Sequence, residues 1–513
     1  MSSFGQILKE VGESGLFQKG FLAALCIPSL FVGFNLMVQV FAEMTFPHHC
    51  NTDWILEHGP NLTEERQRNL TIPVNKDGKY DSCNMFTPVD LDLETIETYG
   101  INSTTGCIHG WVYEAPIGAS SIVTEFDLVC NNSGMTEILQ SIFMAGILVG
   151  ALVSGAISDK FGRRTAILLS LLLLLVFGVG DAFSPNVYVY MVAKFILGFP
   201  VAIVTQTSVM AIEWTDPSRS ALCTVLILIV FSVGLMALSG IAYLIHNWRI
   251  LKLVLFSPLV LVLGMFYWFL PESARWLMTQ GRKEEAQKEL WRAARVNGRT
   301  VPEDQLDKLE MEGTSEKRNM LDIFRISYLR KRTFLMGYNW FATCLLYYGL
   351  SLKVGSFGLN IYLTQFIFGI VEIPANLGSW ALIQHFGRRI CQGCFLFFGG
   401  AACLLVLAVP NDLPVVVTTM AVLGKFAATA SFNTAYVYTP ELYPTILRQN
   451  GVGLNSMCAR VAGILVPLIR LLEVYHYTIP MVIYGIVPIA ALGFCLLLPE
   501  TLNVELQDQI ELK

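Results

Sequence analysis

The sequence predicts an all-α membrane protein of twelve transmembrane helices, arranged as two pseudo-symmetric six-helix bundles, on three observations. Of 513 residues, 54% are hydrophobic and only 15% charged, against roughly 25% charged in an average soluble domain. Apolar runs long enough to cross about 30 Å of hydrocarbon recur along the chain. Short signposts recur too: Ser158 to Arg164 reads SDKFGRR and Gln384 to Arg389 reads QHFGRR, Glu213 and Arg219 return as Glu441 and Arg448, and Pro271-Glu272-Ser273 returns as Pro499-Glu500-Thr501. Glu213 and Pro271 each repeat after 228 residues (441 − 213 and 499 − 271), so one unit is duplicated. The net charge of −5 is small for this length and argues for no nucleic-acid partner.

Residues 1–20 mix Lys9, Glu10, Glu13 and Lys19 with Phe4, Ile7, Leu8, Leu16 and Phe17, a spacing that suits a short cytosolic helix lying on a membrane surface. Phe21 to Phe41 carries no charge and reads as the first span, too long for a signal-peptide core. The polar segment 43–134 then holds Cys50, Cys83, Cys107 and Cys130 and every N-x-S/T acceptor of the chain, at Asn61, Asn69, Asn102 and Asn131. Glycans and disulfides need the oxidising side of the membrane, so this loop is expected outside, with three pairings open to its four cysteines.

Five further apolar runs, near 138–157, 165–184, 187–212, 221–245 and 250–270, complete an N-terminal bundle over 21–270. A charged segment at 271–332 reads as cytosolic linker helices, with acids and bases alternating from Glu284 to Arg295. Six more runs, near 333–354, 358–382, 390–409, 413–438, 452–472 and 477–498, place a C-terminal bundle and short tail at 333–513. The linker is rich in Lys and Arg and the large loop is poor in them, which puts the linker and both termini in the cytosol of a multi-pass plasma-membrane protein.

The turn Gly155 to Arg164 packs a glycine, an acid and two bases between the second and third spans. It resembles the loop signature of the major facilitator superfamily, with Gln384 in place of the acid in the second copy. Glu125-Phe-Asp-Leu-Val-Cys130, Pro271-Glu-Ser-Ala-Arg-Trp276, Glu441-Leu-Tyr-Pro-Thr445 and Leu498-Pro-Glu-Thr501 together resemble the organic cation, anion and zwitterion transporter family. Phe357 to Gln365 is most similar to its urate- and nicotinate-type organic anion transporters. The resemblance implies a cytosolic latch of Asp159, Arg163, Glu213, Arg219, Glu272 and Arg275 in one half, with Arg388, Glu441, Arg448 and Glu500 in the other, pairing when the inner side is shut. The plainer alternative is charge that only sets topology, but that rule asks for no acids.

Ionisable residues inside spans each ask for a reason; here they are Asp181, Lys194, Lys252, Glu372, Lys425, Arg460 and Arg470. Lys194 and Lys425 belong to the repeat and read as structural anchors. Arg460 lies about nine residues into the eleventh run, beyond snorkelling reach, among Gly451, Gly453, Ser456 and Gly463. It is the candidate substrate contact, the alternative being an arginine satisfied by helix carbonyls or by Glu372. By resemblance, Arg at this place marks anion carriers, and a guanidinium binds a carboxylate bidentately. Tyr347, Tyr348, Phe432 and Tyr436 resemble the family's cavity lining, and Asn376 stands where multispecific anion carriers often have a base, which would favour small monovalent anions. The implied function is secondary transport of a small organic anion against a counter-anion by a monomer in the lipid bilayer. Organic cation or zwitterion transport, or a non-transporting receptor on the same fold, are the alternatives. No phosphate-cradling loop ending in Lys-Ser or Lys-Thr occurs, so an ATP-driven pump is not expected. The clustered histidines, His48 and His49, lie in the outer loop and not beside an acid within a span, so neither enzyme activity nor a cofactor is expected.

Overall fold

The computed structural model describes residues 2–12, 15–203, 213–215, 220–307, 309–310, 321–444 and 447–504. Arg219 lies outside the described residues. Nine helices or helix pairs among them are long and apolar enough to cross a membrane. In the first half these are α2 (Leu16–Ala42), α3 (Met135–Phe161), α4 (Arg163–Asp181), α6 (Ser220–Leu244) and the pair α7 (Trp248–Phe256) and α8 (Leu259–Phe269). In the second half they are α12 (Ile361–Phe386), α13 (Arg388–Ala408), α14 (Pro414–Glu441) and α16 (Ile479–Leu496). Three more helices, α5 (Val187–Ile203), α11 (Ser327–Ser351) and α15 (Arg448–Arg470), occupy the places of the expected fourth, seventh and eleventh spans. The first is short, and the other two carry more polar side chains. Ser257-Pro258 divides α7 from α8, where proline has no N–H to donate to the helix ladder.

Small residues set how closely the helices approach. A methyl group on Gly198 of α5 would meet backbone atoms of Phe143, Gly146 and Ile147 on α3 at 2.5–2.6 Å, so only glycine admits this contact.

Between the bundles lie α9 (Ala274–Thr279) and α10 (Lys283–Val296), within the charged segment. Here the structure corrects the expectation for the N-terminus. The helix α1 (Phe4–Val11) buries Ile7, Leu8 and Val11 and packs against α10, whose Leu290, Ala293 and Ala294 are buried in turn. Asn297 fastens the pair: its Oδ1 accepts from the Phe17 amide at 2.8 Å, and its Nδ2 donates to the Val11 carbonyl and to Gln18 Oε1, each at 3.0 Å. The apolar stripe read as membrane-seeking is therefore covered by protein.

Residues 41–136 with 246–248 form a separate compact unit. Short two-stranded sheets pair His48–Cys50 with Trp111–Tyr113 and Asn84–Phe86 with Thr104–Gly106. The pairing left open by the sequence is Cys50–Cys107 and Cys83–Cys130. Asn61, Asn69, Asn102 and Asn131 are all exposed on this unit.

Candidate functional site

A cavity of about 220 Å³ opens among α2, α5, α6, α11, α12, α14 and α15. Arg460, Tyr347, Tyr348, Phe432, Tyr436 and Asn376, drawn from four different helices, all line it. Trp340, which the sequence reading did not single out, completes the aromatic wall: its ring lies 4.9 Å from Tyr436 and 6.3 Å from Phe432, edge to face. Tyr347 meets Phe432 at 5.1 Å and Tyr348 at 5.2 Å, again edge to face, the geometry in which ring edges and faces attract. Trp340 Nε1 donates to Thr439 Oγ1 at 2.8 Å, so the wall has a fixed orientation.

The charges are distributed unevenly. Glu372 on α12 is buried and lines the cavity. It accepts from Lys425 Nζ at 3.1 Å, from Ser232 Oγ at 3.0 Å and from the Tyr347 hydroxyl. Lys425, also buried, donates to Ser351 Oγ and lies 3.4 Å from the centre of the Tyr347 ring. Lys425 is thus more than the repeat anchor expected from sequence, and Glu372 answers Lys425, not Arg460. Arg460 has no ion pair among the described residues, and its Nε is buried without a hydrogen-bond partner. Opposite-charge residues within spans are the signal that could have found the Glu372–Lys425 pair.

In the other bundle, Lys252 of α7 pairs with Asp181 of α4 and donates to the Tyr190 hydroxyl at 3.0 Å. Arg470, in the last turn of α15, donates from Nη1 to Gln140 Oε1 at 3.5 Å.

The latch residues form two matching clusters. Arg163 pairs with Asp159 at 2.8 Å and with Glu213 at 3.2 Å, and Ser273 Oγ donates to Glu213. Arg388 pairs with Glu441 at 3.3 Å, and Thr501 Oγ1 donates to Glu441. Glu272 accepts the amides of Arg163 and Arg164 at 3.1 and 3.3 Å, and Glu500 those of Arg388 and Arg389 at 2.9 and 3.3 Å. Each carboxylate caps the start of a helix, where orphan N–H groups and the dipole favour an anion. Gly162 and Gly387 precede these helices at φ +97° and +89° with ψ 161° and 166°, a region open essentially to glycine alone. Burial holds the Glu272 carboxyl above its ordinary pKa despite the amides and the Arg163 charge that favour its ionised form. Among the described residues both clusters close within their own half. Arg448 Nε donates to the Pro440 carbonyl at 3.0 Å, and Arg275 is exposed on α9. Links between the halves are elsewhere: Ser141 Oγ donates to the Ile464 carbonyl at 2.9 Å, and Ser239 Oγ to the Tyr362 carbonyl.

Residues 99–512 match the family described as sugar (and other) transporter. Human solute carrier family 22 member 13 is 42% identical over 514 residues, covering 100% of this chain and 93% of that protein. Human organic anion transporter 3 is 37% identical over 525 residues, covering 99% and 93%. Among solved structures, the inward open conformation of the xylose transporter XylE from E. coli aligns with a TM-score of 0.59 at 15% identity, over 95% of this chain and 98% of that one. The human organic anion transporter MFSD10 aligns at 0.55 and 14% identity, over 93% and 99%. At these identities the structural likeness speaks for the fold.

Proposed function

Because the chain belongs to the solute carrier 22 family of major facilitator transporters, we propose that it moves small organic anions of the urate or nicotinate type across the plasma membrane by alternating access, in exchange for a counter-anion. The observation that carries this is Arg460: a cavity-lining guanidinium with no ion pair among the described residues, beside an acid already occupied by Lys425. Arg460 is half-buried and its Nε is buried without a hydrogen-bond partner, a cost that a partner removes, and a carboxylate or urate anion supplies that partner with two parallel hydrogen bonds. The aromatic wall offers ring edges and faces to a planar heterocycle. A volume of about 220 Å³ falls below the roughly 300–1,000 Å³ of sites for drug-sized ligands, which favours one small cargo molecule. The self-contained clusters at the Gly162 and Gly387 turns keep each half rigid while the halves rock about the midplane site. Both termini are cytosolic in this reading.

The test is radiolabelled nicotinate and urate uptake, corrected for surface protein, with trans-stimulation by unlabelled anion to detect exchange. A lost charged hydrogen bond is worth roughly 1.5–3 kcal/mol, or about tenfold to a hundredfold in affinity. Arg460→Lys retains weak uptake, Arg460→Ala loses most of it, and Arg460→Asp abolishes it. Near-normal anion uptake by Arg460→Ala would remove Arg460 from the site, and binding without saturable uptake would favour a receptor.

A further inference from the structure

Two charged residues, Arg460 and Glu372, line the cavity, and a third, Lys425, is buried behind the wall against Glu372 and the Tyr347 ring; their sum has a consequence for cargo valence. Arg460 and Lys425 are positive and Glu372 is negative, which leaves one net positive charge. The cancellation is local: Glu372 holds Lys425 Nζ at 3.1 Å, while Ser232 Oγ at 3.0 Å and the Tyr347 hydroxyl keep the carboxylate in place. The Tyr347 ring covers the ammonium, 3.4 Å from the ring centre, and Tyr347 itself lines the cavity. We propose that Glu372 is a specificity-determining residue that fixes the charge of the cargo: by neutralising Lys425 it makes the cavity a match for a single negative charge and excludes dianions.

This rests on the reading of Arg460 as the counter-charge of the cargo and adds to it. A dianion in the cavity would bring two negative charges to one available cation, leaving a carboxylate desolvated and unpaired. Removing the charge of Glu372 while keeping its shape frees Lys425 as a second cation, so Glu372→Gln creates a site for a dicarboxylate. Removing the charge of Lys425 instead leaves the two cavity-lining charges, Arg460 and Glu372, with opposite signs, so Lys425→Gln creates a site for a zwitterion carrying a carboxylate and a quaternary ammonium. Each single variant therefore gains a ligand, an effect that damage to the fold does not produce.

Binding of nicotinate, succinate and glycine betaine is measured on purified full-length protein in detergent, with circular dichroism and elution volume checking the fold. Wild type prefers nicotinate. In Glu372→Gln the succinate-to-nicotinate affinity ratio rises about tenfold or more; in Lys425→Gln betaine binding appears and nicotinate binding falls; the double variant restores the wild-type order. Wild-type ratios in a folded single variant overturn the proposal, and if one single variant does not fold the other decides it. If wild-type nicotinate binding is absent or survives Arg460→Ala, the reading of Arg460 fails instead. Arg460-dependent binding with unchanged ratios sinks only the role of Glu372.

Discussion

Tyr347 makes two contacts that a smaller residue could not combine: its hydroxyl donates to Glu372, and its ring lies under the Lys425 ammonium. Tyr347→Phe keeps the ring and removes the donor, so the buried carboxylate loses one of three partners at a cost of about 1.5–3 kcal/mol. The expected outcome is a lower melting temperature in detergent and slower uptake, with nicotinate still preferred over succinate. An unchanged melting temperature would show that the hydroxyl contributes nothing to holding Glu372. That Arg460, both tyrosines, Phe432, Tyr436 and Asn376 line one cavity was legible in the sequence, Arg460 as a charge inside an apolar run and the others through family resemblance. Trp340 was not, since a tryptophan in such a run looks like ordinary packing. Nor was the Lys425–Glu372 pair, because those residues lie 53 positions apart (425 − 372) on helices whose neighbourhood no periodicity reveals.

Helix starts show how the duplication is used. Glu272 serves α4 and Glu500 serves α13, each accepting two consecutive amides behind a glycine with positive φ. Glu272→Gln and Glu500→Gln each weaken charge-assisted hydrogen bonds at a helix N-terminus. The two variants should therefore lose comparable stability, about 1–3 kcal/mol each, and lower maximal uptake more than substrate affinity. Melting temperatures and uptake kinetics check this; a large asymmetry between the two would show that the repeated sequence no longer does the same task twice. The recurrence of Pro-Glu-Ser and Pro-Glu-Thr at one period was visible in the sequence, but their partner was not. The expectation looked for side-chain pairing, whereas the hydrogen bonds reach backbone amides, which every residue but proline has. In the same way the amphipathic pattern of α1 was legible and its covering surface was not. An apolar stripe is indifferent to whether lipid or the buried face of α10 removes it from water.

At the scale of the whole molecule, the ion pairs named above among the described residues obey one rule. Asp181 with Lys252 and Arg163 with Glu213 lie in the first half; Glu372 with Lys425 and Arg388 with Glu441 lie in the second. The fold class was legible because hydrophobic runs and a period of about 228 residues are long-range signals, although α11 and α15 carry more polar residues than the other spans. The division of charge matters during biosynthesis, before any cargo is met. A ribosome delivers the first six apolar runs to the membrane while the remainder is still being made, and an ionised side chain there waits at a cost of several kcal/mol if its partner has not been translated. Here the membrane-buried Asp181 finds its base, Lys252, within the early half, so this pair forms without waiting for the second. A chain cut in the linker after Asp307, with the two pieces made from separate messages in one cell, should therefore reassemble into protein that reaches the surface and takes up anion. Rapid degradation of the first piece when it is made alone would show that it needs the second half to become stable in the bilayer.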